Sequence, residues 1–381
     1  MVKRFLETDW LLVLSALFVF GAGLLSLYSL SVTGNPWSLS GSYFLRQLIF
    51  GMIGIAFMVF FQFLDYRHLV RYGTHFYFLS IIALVLVLLF GRTVNGTSGW
   101  ISLGFVRFQP VEAVKIALIL FLARFIIEKR SELGEWVRII ASLVLSSFLV
   151  FLVLKQPDLG SSLTLMAIWG GMILVSGIRM KHILVLLITG IVVASAGWFF
   201  LEGYQRDRIE IFLHPESDPR GSGYNVLQAM VAVGSGGISG KGVGYGSQSQ
   251  LNFLPEKHTD FIFATVTEEL GLIGSGAILL CYGVFLFRAW RIAACARDNA
   301  GYLIAVGAQI YFIIQIFINV GMNMGLLPVA GLPAPFLSYG GSSLLASFTI
   351  AGLLLSVYRQ GRRGQSRSLG SVSSTEEFSL L

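Results

Sequence analysis

The chain has 381 residues, of which 55% are hydrophobic and only 12% charged, and its net charge is +7. A soluble domain of average composition carries about 25% charged residues, so a mean hydropathy of +0.77 on this background excludes a soluble fold and points to many membrane spans. The positive charge does not argue for a nucleic-acid partner, because the basic residues are spread between apolar segments instead of gathered on one soluble face.

In chain order, the first apolar run covers 10–30 behind Lys3 and Arg4, and is long enough to remain as a span rather than a cleaved signal peptide. Further spans are predicted over 44–64, 76–91, 110–127, 138–154, 161–177, 182–201, 262–287, 301–324 and 341–358. The expected fold is an all-α polytopic membrane protein with about ten transmembrane helices forming one domain over 1–364, followed by a Ser-rich, disordered cytoplasmic tail over 365–381. Lys3, Arg4, Arg67, Arg71, Lys129, Arg130, Arg179, Lys181, Arg288, Arg291, Arg297, Arg359, Arg362 and Arg363 all fall on one side of this arrangement. The opposite side has few basic residues, such as Arg92, Arg107 and Lys155. The positive-inside rule then makes both termini cytoplasmic, as an even number of spans requires. Cys281 lies within a span and Cys295 in a cytoplasmic loop, so neither is expected in a structural disulfide.

Two outer connections stand apart. The segment 202–261, between the seventh and eighth helices, is the one long loop, and long loops are more often functional than merely connecting. The segment 326–341 lacks charge but is broken by Pro328, Pro333, Pro335, Gly340 and Gly341. Irregular backbone near membrane depth is tolerated only when buried in protein or lining a polar cavity.

Several residues along this path are candidates for chemistry. Glu112 and Lys115 share one face of the fourth span, just after Pro110 at its start. Charges in a span cost roughly 2.5–3.5 kcal/mol each on insertion scales, so they face a polar interior, either as a structural ion pair or along a substrate path. Asp158, in Lys155-Gln156-Pro157-Asp158, reads first as the cap of the sixth span. The outer loop carries Arg206, Arg208, His214 and Lys241. Its run Gly234–Gly242 fails the phosphate-loop pattern, with Ser235 where Gly is needed and Gly242 after Lys241 in place of Ser or Thr. It is either a flexible connector or a set of backbone N–H groups able to cradle a pyrophosphate. Lys257, His258 and Asp260 sit at the outer mouth of the eighth span. The local sequence favours Asp260 as a plain helix cap, although no Glu or Gln completes a capping box at Phe263. The other reading is a carboxylate at the water–lipid boundary, acting as general base or cation ligand. Glu268 and Glu269 lie about two turns further on, and adjacent helical residues point about 100° apart, so only one can face a given cavity. Asn319 and Asn323 read as interhelical hydrogen-bond glue.

The stretches NGTSGWISLGFVRFQPVEAVK (95–115), KQPDLGSS (155–162), GYNVLQAMVAVGSGGISGKG (223–242), SQSQLNFLPEKHTDFIFATVTEELGLIG (247–274) and NMGLLPVAGLPAPFLSYGGSS (323–343) together resemble the SEDS family of RodA, FtsW and SpoVE. The motifs run in order from the third span to the tenth, so the resemblance covers nearly the whole chain. The SQSQ…FLPEKHTDF wording is more similar to the RodA type than to the FtsW type. Two positions depart from the family pattern: Val111 stands where many members have Ser, and Ala330 where many have Thr. Neither removes an ionisable group.

The resemblance implies a peptidoglycan glycosyltransferase that polymerises lipid II at the outer face of the bacterial cytoplasmic membrane, for cell elongation. It places the family's essential aspartate on Asp260, which reverses the cap preference, and its fourth-span pair on Glu112 and Lys115. Asp260 would accept the acceptor sugar's proton directly or through a bound Mg²⁺ or Mn²⁺. Lys115, Arg206, Arg208, Lys241 and Lys257 are the cations available to the departing pyrophosphate, with Asp158, His258 and Glu268 in support. The implied partners are a class B penicillin-binding protein and the elongation machinery. The rival functions are a lipid II flippase, which the same midplane charges would suit, a division-type polymerase, and a scaffold that recruits a partner. A transporter built on paired repeats would carry interrupted helices in both halves, and only the region 326–341 is interrupted here.

Overall fold

The computed structural model describes residues 7–31, 42–94, 97–103, 106–129, 132–197, 203–218 and 221–377. Lys3, Arg4, Arg130 and the start of the outer segment at 202 lie outside the described residues. The helices are α1 (Trp10–Ser31), α2 (Tyr43–Phe63), α3 (Tyr66–Arg71), α4 (Gly73–Phe90), α5 (Pro110–Glu128), α6 (Glu135–Leu154), α7 (Leu159–Leu174), α8 (Met180–Gly197), α9 (Gly203–Leu213), α10 (Ser222–Ser235), α11 (Ser247–Gln250), α12 (Ile262–Ala294), α13 (Asn299–Asn323) and α14 (Gly341–Glu377).

Seven of these are long and apolar enough to cross a membrane: α1, α2, α4, α6, α12, α13 and α14 as far as Arg362. Two more apolar helices, Leu159–Leu174 and Met180–Val192, are shorter. The 19-residue α5 completes the ten expected positions, its run of apolar residues broken by Glu112, Lys115 and Arg124. The protein is a multi-pass helical membrane protein. Its lipid-facing belt is made of exposed Leu, Ile, Val and Phe on α1, α2, α4, α6 and α8. The core forms where α1 packs on α12, α2 on α14, α4 on α5, and α13 on α7 and α12.

The structure departs from the expected fold in two places. Three short strands, β1 (Arg92–Val94), β2 (Thr97–Leu103) and β3 (Val106–Phe108), form an antiparallel meander. Ile101 pairs with Phe108 and Arg92 with Trp100. The long outer segment is largely helical, in α9, α10 and α11, with α10 packed on α12. The last helix is described as far as Glu377.

The eighth span is itself broken. Gly271, at φ 65° and ψ −164°, separates a half-helix starting at Ile262 from the long remainder. The break frees backbone groups that membrane depth requires to be paired, and the run Gly236–Gly242 pairs them. Lys241 N–H donates to the Glu268 carbonyl (3.0 Å) and Gly242 N–H to Glu269 (2.9 Å). Leu272 N–H donates to Gly237 (2.9 Å) and Ile273 N–H to Ile238 (3.2 Å). The glycine run is thus neither a loose connector nor a free anion cradle, because the N–H groups of Lys241 and Gly242 are spent on the break. Close approach is what demands glycine: a Cβ on Gly240 would collide with the Glu269 carbonyl, and Gly240 also adopts φ +79°. Gly240→Ala is expected to lower stability by roughly 2–3 kcal/mol, read as a fall in melting temperature in detergent. An unchanged melting temperature would contradict the wedge.

Candidate active site

At the end of the bundle where α12 begins, the meander, the start of α7, the segment 324–340 and the mouth of α12 enclose a cavity of about 180 Å³. Its ionisable lining residues are Asp158, Arg208 and Asp260, accompanied by Trp100, Gln109 and Tyr339.

The irregular segment forms the roof, and its carbonyls find partners from side chains as burial demands. Arg208 Nη1 donates to the Val329 carbonyl (3.1 Å), Asn319 Nδ2 to Leu332 (2.8 Å), Tyr282 Oη to Pro335 (2.6 Å) and Gln47 Nε2 to Ser338 (2.9 Å). Phe336 anchors the segment among Phe312 (5.5 Å) and Phe348 (5.0 Å). Gly160 lets α7 approach, since a Cβ there would strike the Ala330 carbonyl.

Asp260 is not the cap that local sequence favours. Phe261 occupies the N-cap position and no side chain of its own end caps α12. Asn323, reaching across from α13, takes that role: its Oδ1 accepts from Ala264 N–H (2.9 Å). Asn323 Nδ2 (2.9 Å) and Asn319 Nδ2 (3.0 Å) both donate to the Asp260 carbonyl. The interhelical glue expected of this pair therefore fixes the backbone of Asp260 and joins it to the roof through Leu332. The Asp260 carboxylate makes no hydrogen bond or ion pair among the described residues and faces the cavity. Burial pushes its pKa from 3.8 up to about 7, with Glu256 and Asp158 adding to the rise and Arg208 opposing it. A carboxylate titrating near neutrality is suited to accepting a proton at physiological pH.

Asp158 does cap its helix as expected, with Oδ1 accepting from Ser161 N–H (2.9 Å), and it also lines the cavity, where Oδ2 accepts from Gln109 Nε2 (3.3 Å). Of the five cations expected to serve the site, Arg208 alone lines it. Lys115 is fully buried and paired with Glu112 at 2.7 Å, away from the cavity lining. Lys241 pairs with Glu268 (3.0 Å). Lys257 is held by the Ser249 carbonyl and Asn252 Oδ1 (2.7 Å). Arg206 is exposed and does not line the cavity. His258 stacks on Tyr43 at 4.0 Å, where burial lowers its pKa, and its ring packs the α2 side of the mouth.

Glu268 and Glu269 do not line this cavity; both grip the segment 241–250 instead. Glu268 accepts from Lys241, Gln248 N–H (2.9 Å) and Ser249 N–H (3.0 Å). Glu269 accepts from Ser29, Gly244 N–H (3.1 Å) and Gln250 (3.3 Å). The chain at 241–250 wraps the end of the half-helix, so two side chains pointing apart still meet one segment. Trp100, Gln109, Tyr339 and Ser342 escaped sequence reading; Trp100 arrives through the unforeseen meander, and no local signal marks the others.

Fold and site together define a multi-pass membrane protein with an acidic cavity at one end of its bundle and one carboxylate held free within it. A sequence profile of the cell cycle proteins FtsW, RodA and SpoVE matches residues 9–363, and the chain belongs to this family of peptidoglycan glycosyltransferases. It is 39% identical over 362 residues to the peptidoglycan glycosyltransferase MrdB of Escherichia coli, covering 93% of this chain and 94% of that one. It is 38% identical over 369 residues to stage V sporulation protein E of Bacillus subtilis, covering 95% and 100%. Among solved structures it is similar to a chain described under structural coordination of polymerization and crosslinking by a peptidoglycan synthase complex, with TM-score 0.75, 31% identity, and 93% and 98% coverage. It is also similar to the rod shape determining protein RodA of Thermus thermophilus, with TM-score 0.67, 28% identity, and 92% and 97% coverage.

Proposed function

We propose that the protein polymerises lipid II into glycan strands at the outer face of the bacterial cytoplasmic membrane, with Asp260 as general base. The observation that carries this reading is a carboxylate relieved of capping by Asn323, without a partner among the described residues, facing the cavity and titrating near neutrality. Asp260 takes the proton from the acceptor sugar hydroxyl. The hydroxyl oxygen bonds to the anomeric carbon of the donor, and the bond from that carbon to the pyrophosphate breaks, releasing undecaprenyl pyrophosphate. Arg208, at the cavity wall, offsets the charge that gathers there.

A divalent cation fits this cavity in one mode. No group of three or more His, Cys, Asp or Glu side chains gathers among the described residues, but Mg²⁺ is often held by one or two carboxylates and completed by substrate phosphates and water. Asp260 and Asp158 would supply those carboxylates, and the ion would supply charge stabilisation to the pyrophosphate. A class B penicillin-binding protein is the proposed transpeptidase partner, supported by the likeness to a chain of a polymerization and crosslinking complex.

Purified protein with this partner and lipid II should yield glycan polymer. Lipid II translocation without polymer would instead identify a transporter. Elongation is proposed over division on the SQSQ…FLPEKHTDF wording at 247–261. Relatives named FtsW reach 38% identity, beside 39% for MrdB, so cells must decide. Depletion in a rod-shaped bacterium that depends on this protein should give rounded cells; filaments with missing septa would assign division.

A further inference from the structure

At the end of the bundle opposite Asp260, the last turns of α12 and of the apolar part of α14 leave a second cavity, of about 210 Å³. Arg288, Arg291 and Arg362 line it with Tyr358 and Cys295, and no lining residue is acidic. The nearby acidic groups are already engaged. Arg288 grips Asp9 through Nε (2.9 Å) and Nη2 (2.5 Å), and Arg359 pairs with Glu7 (3.1 Å). The Arg362 guanidinium lies over the Tyr358 ring at 5.6 Å. Arg291 makes no ion pair among the described residues and is exposed. Among the described residues, Arg291 therefore adds a positive charge to the pocket that no acidic side chain offsets.

Its depth is marked by its neighbours. Phe287 and Trp290 on α12 are both 54% exposed, with ring centroids 5.8 Å apart. Exposed tryptophan next to arginine on a spanning helix marks the boundary between hydrocarbon and head groups. The guanidinium cluster thus sits at the level of lipid phosphates, and its planar donor forks suit phosphate oxygens. Basic pockets between helices on the cytoplasmic side of membrane proteins bind anionic head groups.

We propose that this pocket binds the phosphodiester head group of an anionic phospholipid of the inner leaflet, with Arg291 and Arg362 as the phosphate ligands and Arg288, locked to Asp9, as a fixed wall. The same chemistry would accept a soluble phosphate, so the test separates the two sources. Purified protein in neutral detergent is titrated with short-chain phosphatidylglycerol, short-chain phosphatidylcholine and inorganic phosphate, and binding is followed by thermophoresis. Phosphatidylglycerol should bind at least about tenfold tighter than phosphatidylcholine. The pair of changes Arg291→Gln and Arg362→Gln should remove that preference, whereas Arg297→Gln, outside the pocket, should keep it. The charge-preserving pair Arg291→Lys and Arg362→Lys should retain part of it, which separates lost binding from lost folding. Equal binding of both lipids, equal loss in the Arg297 variant, or inorganic phosphate binding as tightly as phosphatidylglycerol would each overturn the proposal.

Discussion

Asp260→Asn is expected to abolish lipid II polymerisation, with a fall of about a hundredfold or more, the usual contribution of a positioned general base. The isosteric amide keeps size and polarity but cannot accept the proton. The backbone of Asp260 is held by Asn319 and Asn323 through its carbonyl, so the site should keep its shape. Wild-type activity should rise as pH increases through about 7 and level off above it, because the base works only when ionised. Arg208→Gln should move this limb to higher pH, since the guanidinium favours the charged carboxylate, and Glu256→Gln should move it lower. The stability effect has the opposite sign. A carboxyl whose folded-state pKa stands above its ordinary 3.8 binds its proton more tightly in the folded protein. Its contribution to stability is therefore greatest at acid pH and is lost as pH rises towards about 7. The Asn variant should be more stable than wild type above neutrality, by roughly 1–3 kcal/mol, and should lose that advantage near pH 4. An inactive variant that melts higher at pH 8 would locate the function in the carboxylate. Full activity in the variant would return Asp260 to a structural role.

The largest loss of stability is expected from Lys115→Met. Lys115 and Glu112 meet at 2.7 Å with almost no solvent exposure, and Lys115 Nζ also lies 5.9 Å from the Tyr311 ring. Glu112 Oε2 has no hydrogen-bond partner among the described residues, so Lys115 is its principal compensation. The first turn of α5 adds some help, because a helix N-terminus favours negative charge. Removing one partner of a buried ion pair costs about 3–5 kcal/mol, since a bare charge is left behind. Removing both charges leaves no such penalty, and a well-packed neutral pair is often as stable as the ionic one. The combined change Glu112→Gln and Lys115→Met should therefore melt closer to wild type than Lys115→Met alone. This double-mutant cycle also separates the two readings of the pair. A structural bridge predicts recovery of stability and activity together. Recovered stability with activity still absent would show that the charges themselves serve the reaction.

The candidate site was only partly legible in the sequence. Asp260 was marked by family resemblance, against a local pattern that favoured a cap. What decides between them is Asn323, 63 residues away, which takes over the capping hydrogen bond. Five cations stood as equal candidates, yet four of them sit elsewhere, either neutralised by Glu112 or Glu268, held by Ser249 and Asn252, or exposed away from the cavity. No local rule ranks side chains by partners so distant. The glycine run 234–242 invited a ligand-binding reading because its composition signals close backbone approach. The structure shows that what approaches is the protein's own helix at Gly271.

By itself the sequence determined the membrane class, the ten helical positions and the broken segment before α14. These follow from apolar length, charge distribution and proline placement, all of them local quantities that solvent and lipid read directly. Only the tertiary structure decided that β1, β2 and β3 would form a meander carrying Trp100 to the cavity, that the long segment before α12 would fold into helices, and that α12 would split at Gly271. It alone decided which cavity carboxylate would remain without a partner among the described residues. Burial and pairing are settled by residues far apart in the chain, and a charge in a low-dielectric interior is stable or reactive according to the one group packed beside it.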